Sequence, residues 1–203
     1  MHYFLDATGF ISKKSKIHLA KNANPTFKKL ASYIKTVKSI TTTDQYNIFI
    51  KKVISIFRNS KLFPAKQFPV FDKEIIAISK SAPLTEKTPW GGVVLKNADV
   101  EKDYIRKLLV IGKNGVLGFE IHKLKHERLK IIEGVCMVLY SNHSNTKWQP
   151  GKIFVEMGVP EDKFKFLTND EHGIITLTKC VIEERSTNHL DDLVYIFPAS
   201  QVK

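Results

Sequence analysis

Beyond residue 90 the chain never sustains one apolar run for long. "GGVVLKNADV", "YIRKLLVIG", "GVLGFEIHKL", "RLKIIEGVCMVLYS", "KIFVEMG", "KFKFLTN", "GIITLTKCVIEE" and "LVYIFPA" follow one another. They are short, alternating or continuous apolar stretches, cut by Gly, Asn, Asp or Pro at intervals of roughly ten residues. Helices need longer stretches with a three- and four-residue period, so this spacing predicts an all-β sandwich or barrel. No internal repeat and no low-complexity tract interrupts it.

The first third reads differently. "PTFKKLASYIKTVKSI" places Phe27, Leu30, Tyr33, Ile34 and Val37 on one helical stripe, and "TTTDQYNIFIKKVISIFRN" does the same with Tyr46, Phe49, Ile50, Val53 and Phe57. Thr42 followed by Gln45 predicts a capping box at the start of the second helix. The two prolines of "KLFPAKQFPV" mark a boundary near residues 62–70. The expected organisation is a basic helical extension over residues 1–68 and a β-barrel domain over residues 69–203.

Charge divides along the same line. Of the formal net charge of +12, residues 1–68 carry +11 and residues 69–203 only +1. The lysines of the extension fit the wet side of a helical layer, and no groove-reading motif or aromatic platform points to nucleic acid. The 43% hydrophobic content is that of a globular chain, and no apolar run approaches the length of a membrane span. Cys136 and Cys180 lie inside apolar runs and suggest no disulfide framework, as expected of a cytoplasmic protein.

The chemistry concentrates in "GFEIHKLKHERLKIIEGVCMV", residues 118–138. Glu120 and His122 are two apart and share one face of a strand. Residues 123–126 read as a tight hairpin, Glu127 as the start of the returning strand beside them, and Gly134 as the turn that releases it. His172, at the start of a later strand, is the candidate fourth group, arriving from across the barrel. Two imidazoles and two carboxylates form a mixed N/O set suited to a divalent metal ion such as Zn, Mn, Fe or Ni.

The spacing Glu120-x-His122, four residues, Glu127, six residues, Gly134 resembles the first motif of the cupin superfamily, and His172 stands where its second motif supplies a histidine. "TPWGGVV", the long segment from Tyr104 to Val138 and "HLDDLVYIF" are similar to the cupin domains of mannose-6-phosphate isomerases and related sugar-phosphate proteins. In those domains a glutamine usually occupies the place of Glu120, so this chain adds a negative charge to the site. The resemblance covers residues 84–197. It implies a mainly β, cupin-type double-stranded β-helix (jelly-roll barrel) with an α-helical N-terminal extension.

It also implies a metal-dependent enzyme acting on a sugar or sugar phosphate, as an isomerase or epimerase. The alternatives are a non-catalytic small-molecule-binding module and another metallo-cupin reaction, such as a dioxygenase or lyase. Glu120, His122, Glu127 and His172 would hold the metal. His126 and Glu133 are the acid–base candidates; otherwise they read as a solvent-facing hairpin residue and a solvated strand-end carboxylate. Arg106, Lys107, Lys123 and Lys125 are candidate phosphate contacts, and Trp90 either stacks on a sugar or plugs the barrel. Barrel edges and the extra helices suggest a homodimer, with no membrane span.

Overall fold

The computed structural model describes residues 2–6, 24–58, 73–99, 104–141 and 151–202. Three helices are present among them: α1 (Asn24–Thr36), α2 (Thr43–Arg58) and α3 (Lys73–Ser81). The first two follow the expected stripes. Phe27, Leu30, Ile34, Tyr46, Phe49, Ile50, Val53 and Phe57 are all buried. The capping box forms as expected: Thr42 Oγ1 accepts from the Gln45 amide at 3.2 Å, and Gln45 Oε1 accepts from the Thr41 and Thr42 amides at 2.7 and 3.3 Å. Helix α3 is not anticipated by the sequence reading. Its β-branched Ile75, Ile76 and Ile78 fit a strand equally well, and nine residues are too few for the period to show. The expected boundary at residues 62–70 lies outside the described residues.

The strands are β1 (Phe4–Asp6), β2 (Glu86–Thr88), β3 (Gly91–Asp99), β4 (Tyr104–Ile111), β5 (Gly115–Ile121), β6 (Glu127–Glu133) and β7 (Cys136–Ser141). They continue with β8 (Lys152–Gly158), β9 (Lys163–Phe166), β10 (Glu171–Thr176), β11 (Cys180–Thr187), β12 (Val194–Phe197) and β13 (Ser200–Gln201). They form two facing sheets. One runs β1-β8-β7-β10-β5-β12, with β13 also on β5; the other runs β2-β3-β4-β11-β6-β9. This is a jelly-roll barrel, the architecture expected from the strand spacing and the motif.

Three apolar layers hold it together. Between the sheets lie Trp90, Leu109, Ile111, Leu129, Ile131, Val138, Ile174 and Ile182. On the outer face of the first sheet, Phe119, Met137, Leu139, Val155 and Ile175 pack against the stripes of α1 and α2. On the outer face of the second, Val94, Leu108, Ile132 and Val181 pack beneath Ile75 and Ile76 of α3. Strand β7 is buried on both faces, which is why "CMVLYS" reads as a nearly continuous apolar run. The N-terminus joins the barrel directly, because β1 pairs in parallel with β8.

The structure corrects the reading of residues 118–138. Both strands form, but β5 and β6 do not pair with each other. Strand β5 pairs with β10, β12 and β13, and β6 with β11 and β9, in the opposite sheet. Residues 122–126 are a corner between sheets, not a hairpin turn. Alternation and a polar break signal strand, turn and strand, yet they carry no information on whether the returning strand pairs or crosses.

Candidate metal centre

The corner decides which residues meet. Glu120 and His122 reach inward at the end of β5, and His172 stands beside them, because β10 pairs with β5 in a register that sets His172 opposite Glu120. Glu127 begins β6 on the facing sheet and closes the cluster from across the barrel. The sequence reading had these two contributions reversed, with Glu127 as the neighbour and His172 as the arrival from across. The four residues nevertheless converge. One ligand atom from each of Glu120, His122, Glu127 and His172 lies within 4.8 Å of all the others.

Their spacing suits one ion. Nε2 of His122 is 3.4 Å from Glu120 Oε1 and 3.7 Å from Glu127 Oε2, and Nε2 of His172 is 3.6 Å from Glu120 Oε1. Ligands at ~2.0–2.2 Å from a metal in tetrahedral or octahedral array stand roughly 2.8–3.6 Å apart. His172 Nε2 also contacts Glu127 Oε1. The tautomer of His122 is set from behind: its Nδ1–H donates to the Asp192 carbonyl. That leaves Nε2, a buried atom with no hydrogen-bond partner, aimed into the cluster as a lone pair. The ring of His172 is fixed differently, stacked on Phe166 with centroids 4.1 Å apart and an interplanar angle of 7°. These observations fit a divalent cation, which Glu120, His122, Glu127 and His172 can hold.

The loop behind the site is tied down by one carboxylate. Asp192 accepts from the backbone amides of Lys123, Leu124 and Lys125 at 3.0, 2.6 and 2.8 Å. Desolvation acts to raise its pKa, but these three donors win and hold the group below the usual aspartate value. The "HLDDLVYIF" segment therefore has a physical role: it fixes the corner that carries His122 and Glu127. At the far end of β6, Gly134 has φ +87° and a Cβ there would lie 2.1 Å from the Lys179 carbonyl, so the expected turn glycine is required.

Lys125 is the residue the sequence underrates. It is 7% exposed, and its Nζ lies 2.8 Å from Glu127 Oε2 and 3.3 Å from Glu184 Oε1. Lys107 Nζ approaches Glu184 Oε1 at 3.3 Å. Burial works against the Lys125 ammonium, but Glu127 and Glu184 outweigh it and raise its pKa above the usual lysine value. Burial likewise opposes the Glu127 carboxylate, but His172 and Lys125 hold its pKa well below the ordinary range. A cavity of 440 Å³ opens over this network. Its walls include Glu120, His122, Lys107, Lys125, Glu184 and Trp90.

The remaining candidates fall elsewhere. His126 is exposed and lines a neighbouring cavity. Glu133 ends β6, about 20 Å along the strand from Glu127. Arg106 faces outward and pairs with Glu183, and Lys123 is exposed. Of the proposed phosphate contacts, Lys107 and Lys125 thus reach the cavity, while Arg106 and Lys123 are not among its lining residues. His189 is half-buried; His143 lies outside the described residues. Trp90 is buried in the interior core and also walls the cavity, so both of its expected roles are compatible with its position.

No family model matches the chain, and no curated protein does. Among solved structures it is similar to KdgF from Halomonas sp., at 14% identity over 57% of this chain and 94% of that one, with a TM-score of 0.45. It is also similar to an oxalate decarboxylase with Mn(II) centres from Bacillus subtilis, at 15% identity, 58% and 30% coverage and a TM-score of 0.47. The oxalate decarboxylase of Lactobacillus farciminis, as its formate complex, gives 13% identity, 58% and 34% coverage and a TM-score of 0.46. The chain thus spans about a third of the length of these decarboxylases.

Proposed function

We propose that the protein is a metal-dependent enzyme acting on a sugar or sugar phosphate, as an isomerase or epimerase. One observation carries this reading: Glu120, His122, Glu127 and His172 converge beside a 440 Å³ cavity that also exposes Lys107, Lys125 and Glu184. When bound, a divalent ion supplies a Lewis acid for a carbonyl and its neighbouring hydroxyl. The rest falls to the chain. Lys107 and Lys125 offer ammonium groups to a phosphate or to developing negative charge. Trp90, Leu95, Leu109, Leu117 and Leu193 wall off solvent and give a sugar ring an apolar face. Glu184, between the two lysines, is placed to take up and return a carbon-bound proton. His126 and Glu133 do not line this cavity, so Lys125 and Glu184 replace them as the proposed acid–base pair.

The competing reading is a binding module. It is favoured by the same Lys125 ammonium, which gives the Glu127 carboxylate a resident positive partner of its own. A homodimer is also proposed, through the β12 region, where Leu190, Leu193, Val194 and Tyr195 are exposed at a sheet edge.

The deciding experiment combines elemental analysis with proton exchange. The purified protein, loaded with Mn²⁺ or Zn²⁺, is incubated with aldose and ketose phosphates in D₂O and followed by NMR. Stoichiometric metal with deuterium entering at the carbon beside the carbonyl, lost in His122→Ala, supports the enzyme. Failure to bind metal, or metal binding with no exchange on any sugar phosphate, overturns the isomerase reading.

A further inference from the structure

The outer face of the second sheet carries a feature that the metal site does not use. Strands β4, β11, β6 and β9 are consecutive neighbours, and their registers set Arg106 opposite Arg185, Arg185 opposite Arg128, and Arg128 opposite Lys165. Four cations therefore stand in one row across four strands, spanning ~14 Å at the usual interstrand spacing. A second row, two residues along, sets Glu183 opposite Lys130 and Lys130 opposite Lys163. Like charges directly opposite each other on antiparallel strands destabilise a sheet. Internal compensation is partial. Glu183 pairs with Arg106 and Arg185, and Glu161 with Lys130 at 2.9 Å. Arg128, Lys163 and Lys165 are exposed and make no ion pair among the described residues.

The face is concave. Two cavities, of 350 and 600 Å³, share Arg128, Lys165 and Arg185 in their walls, and so form one groove beside α3. Phe164 lines the first and Tyr104 the second. A row of guanidinium and ammonium groups this long exceeds what a single phosphate can engage. It matches a polymer of phosphates, and arginine forks suit phosphate oxygens in particular. The ring of Phe164 packs inward on the core between the sheets, so Tyr104 is the aromatic ring beside the cationic track, and the track itself fits the backbone of a single strand. A second copy of this chain would bring like charge to like charge.

We propose that this groove binds the phosphodiester backbone of a single-stranded nucleic acid. The cationic row lies on the opposite face of the sheet from the metal cluster, of whose four residues Glu127 alone also lines the groove, at its 600 Å³ end. It also revises the expectation from sequence. Residues 106, 128, 165 and 185 are far apart along the chain, and only strand register makes them a row.

The test uses the full chain and labelled oligouridylate and oligothymidylate, read by fluorescence anisotropy across a salt series. Three proteins are compared: the parent, Arg128→Glu/Lys165→Glu, and Lys28→Glu/Lys35→Glu, which alters exposed lysines of α1. Sedimentation with phosphatidylserine-containing vesicles is run in parallel. The expected result is salt-dependent binding by the parent and a loss of about tenfold or more in the first variant. The slope of log affinity against log salt should fall by about 1–2. The α1 variant should bind within about twofold of the parent, and the first variant should keep the parent's circular dichroism spectrum and cooperative melting, which shows that it is folded. No binding by the parent at low salt overturns the proposal. So does an equal or larger loss in the α1 variant, or binding to vesicles without binding to either oligonucleotide.

Discussion

Strand β11 carries two consecutive glutamates, Glu183 and Glu184, that face opposite sides of one sheet. They are almost equally buried, at 3% and 4% exposure, and each meets two cations. Glu184 faces inward to Lys107 and Lys125; Glu183 faces outward to Arg106 and Arg185. What differs is the surplus around them. Inside, Lys125 must also serve Glu127, and Glu120 adds a further carboxylate, so acids outnumber lysines. Outside, Arg128 and Lys165 continue the row and Lys163 stands on the same face, so cations outnumber acids. One sheet thus separates an interior short of positive charge from a surface short of negative charge. The interior is completed by a cation and the exterior by an anion.

The largest expected effect comes from breaking the inner side at its centre. Glu127 touches His172 and Lys125 and is 3% exposed. Glu127→Ala leaves Lys125 and His172 without their nearest carboxylate and removes one of four metal ligands. Removing one partner of a buried pair costs about 3–5 kcal/mol. For a chain of this size that is roughly 6–20 °C of melting temperature, readable by calorimetry. Metal content should fall in step. A variant that melts within about 2 °C of the parent would show that the inner charges are not coupled.

Lys125→Met sharpens the comparison by separating the resident cation from the metal. Without metal, the variant leaves Glu184 with Lys107 alone and Glu127 with the His172 ring alone, and should lose about 3 kcal/mol. With metal bound, the ion neutralises Glu127 and the loss should shrink to about 1 kcal/mol. By linkage the variant should then bind metal about thirtyfold more tightly, measurable by isothermal titration. Weaker metal binding would instead mean that Lys125 positions Glu127 for ligation.

Asp192 is expected to matter less, and in a pH-dependent way. Its pKa is depressed in the folded chain, so its contribution is present above the unfolded value near 3.8 and is lost as pH falls through the lower folded value. Asp192→Ala removes three charge-assisted backbone bonds and should cost about 2 kcal/mol at neutral pH. The gap between variant and parent should narrow as pH falls below 3.8 and close once pH is below the depressed folded value. A gap that persists at low pH would assign the effect to packing.

Much of this was legible in the sequence. Glu120, His122 and Glu127 follow from spacing, and the helical stripes from period, because both are local; His172 came as a candidate on a later strand and from the resemblance to the second cupin motif. The geometry between elements was not legible. Whether residues 122–126 turn back or cross between sheets depends on how the sheets close, so the partners of Glu127 and His172 came out reversed. Lys125 read as a hairpin residue and candidate phosphate contact, and Glu184 was not singled out, because nothing in "KLKHER" or "VIEER" reveals that both are buried against each other. The outer cationic row is more distant still, since it exists only in the registers of four strands. Counting charge by sequence position placed +11 in the first third and missed where the barrel concentrates its own.

The smallest expected effect has the opposite sign, and it tests the outer side alone. Arg128 and Lys165 are exposed, face each other across β6 and β9, and make no ion pair among the described residues. If the outer row is held against its own repulsion, removing one charge without removing bulk should stabilise the fold. Cross-strand pairs of this kind are worth ~0.2–1 kcal/mol. Exposure and salt place these two at the lower end of that range. Arg128→Gln and Lys165→Gln should each raise the melting temperature by about 1–2 °C at low salt, and the gain should fade as salt screens the row. Combining them should give less than the sum, because each relieves the same contact. Lys28→Gln on α1, away from the row, should change little. An unchanged or lower melting temperature at low salt in both ladder variants would mean that the row is already neutralised within the chain, and that its charge is not left over for a ligand.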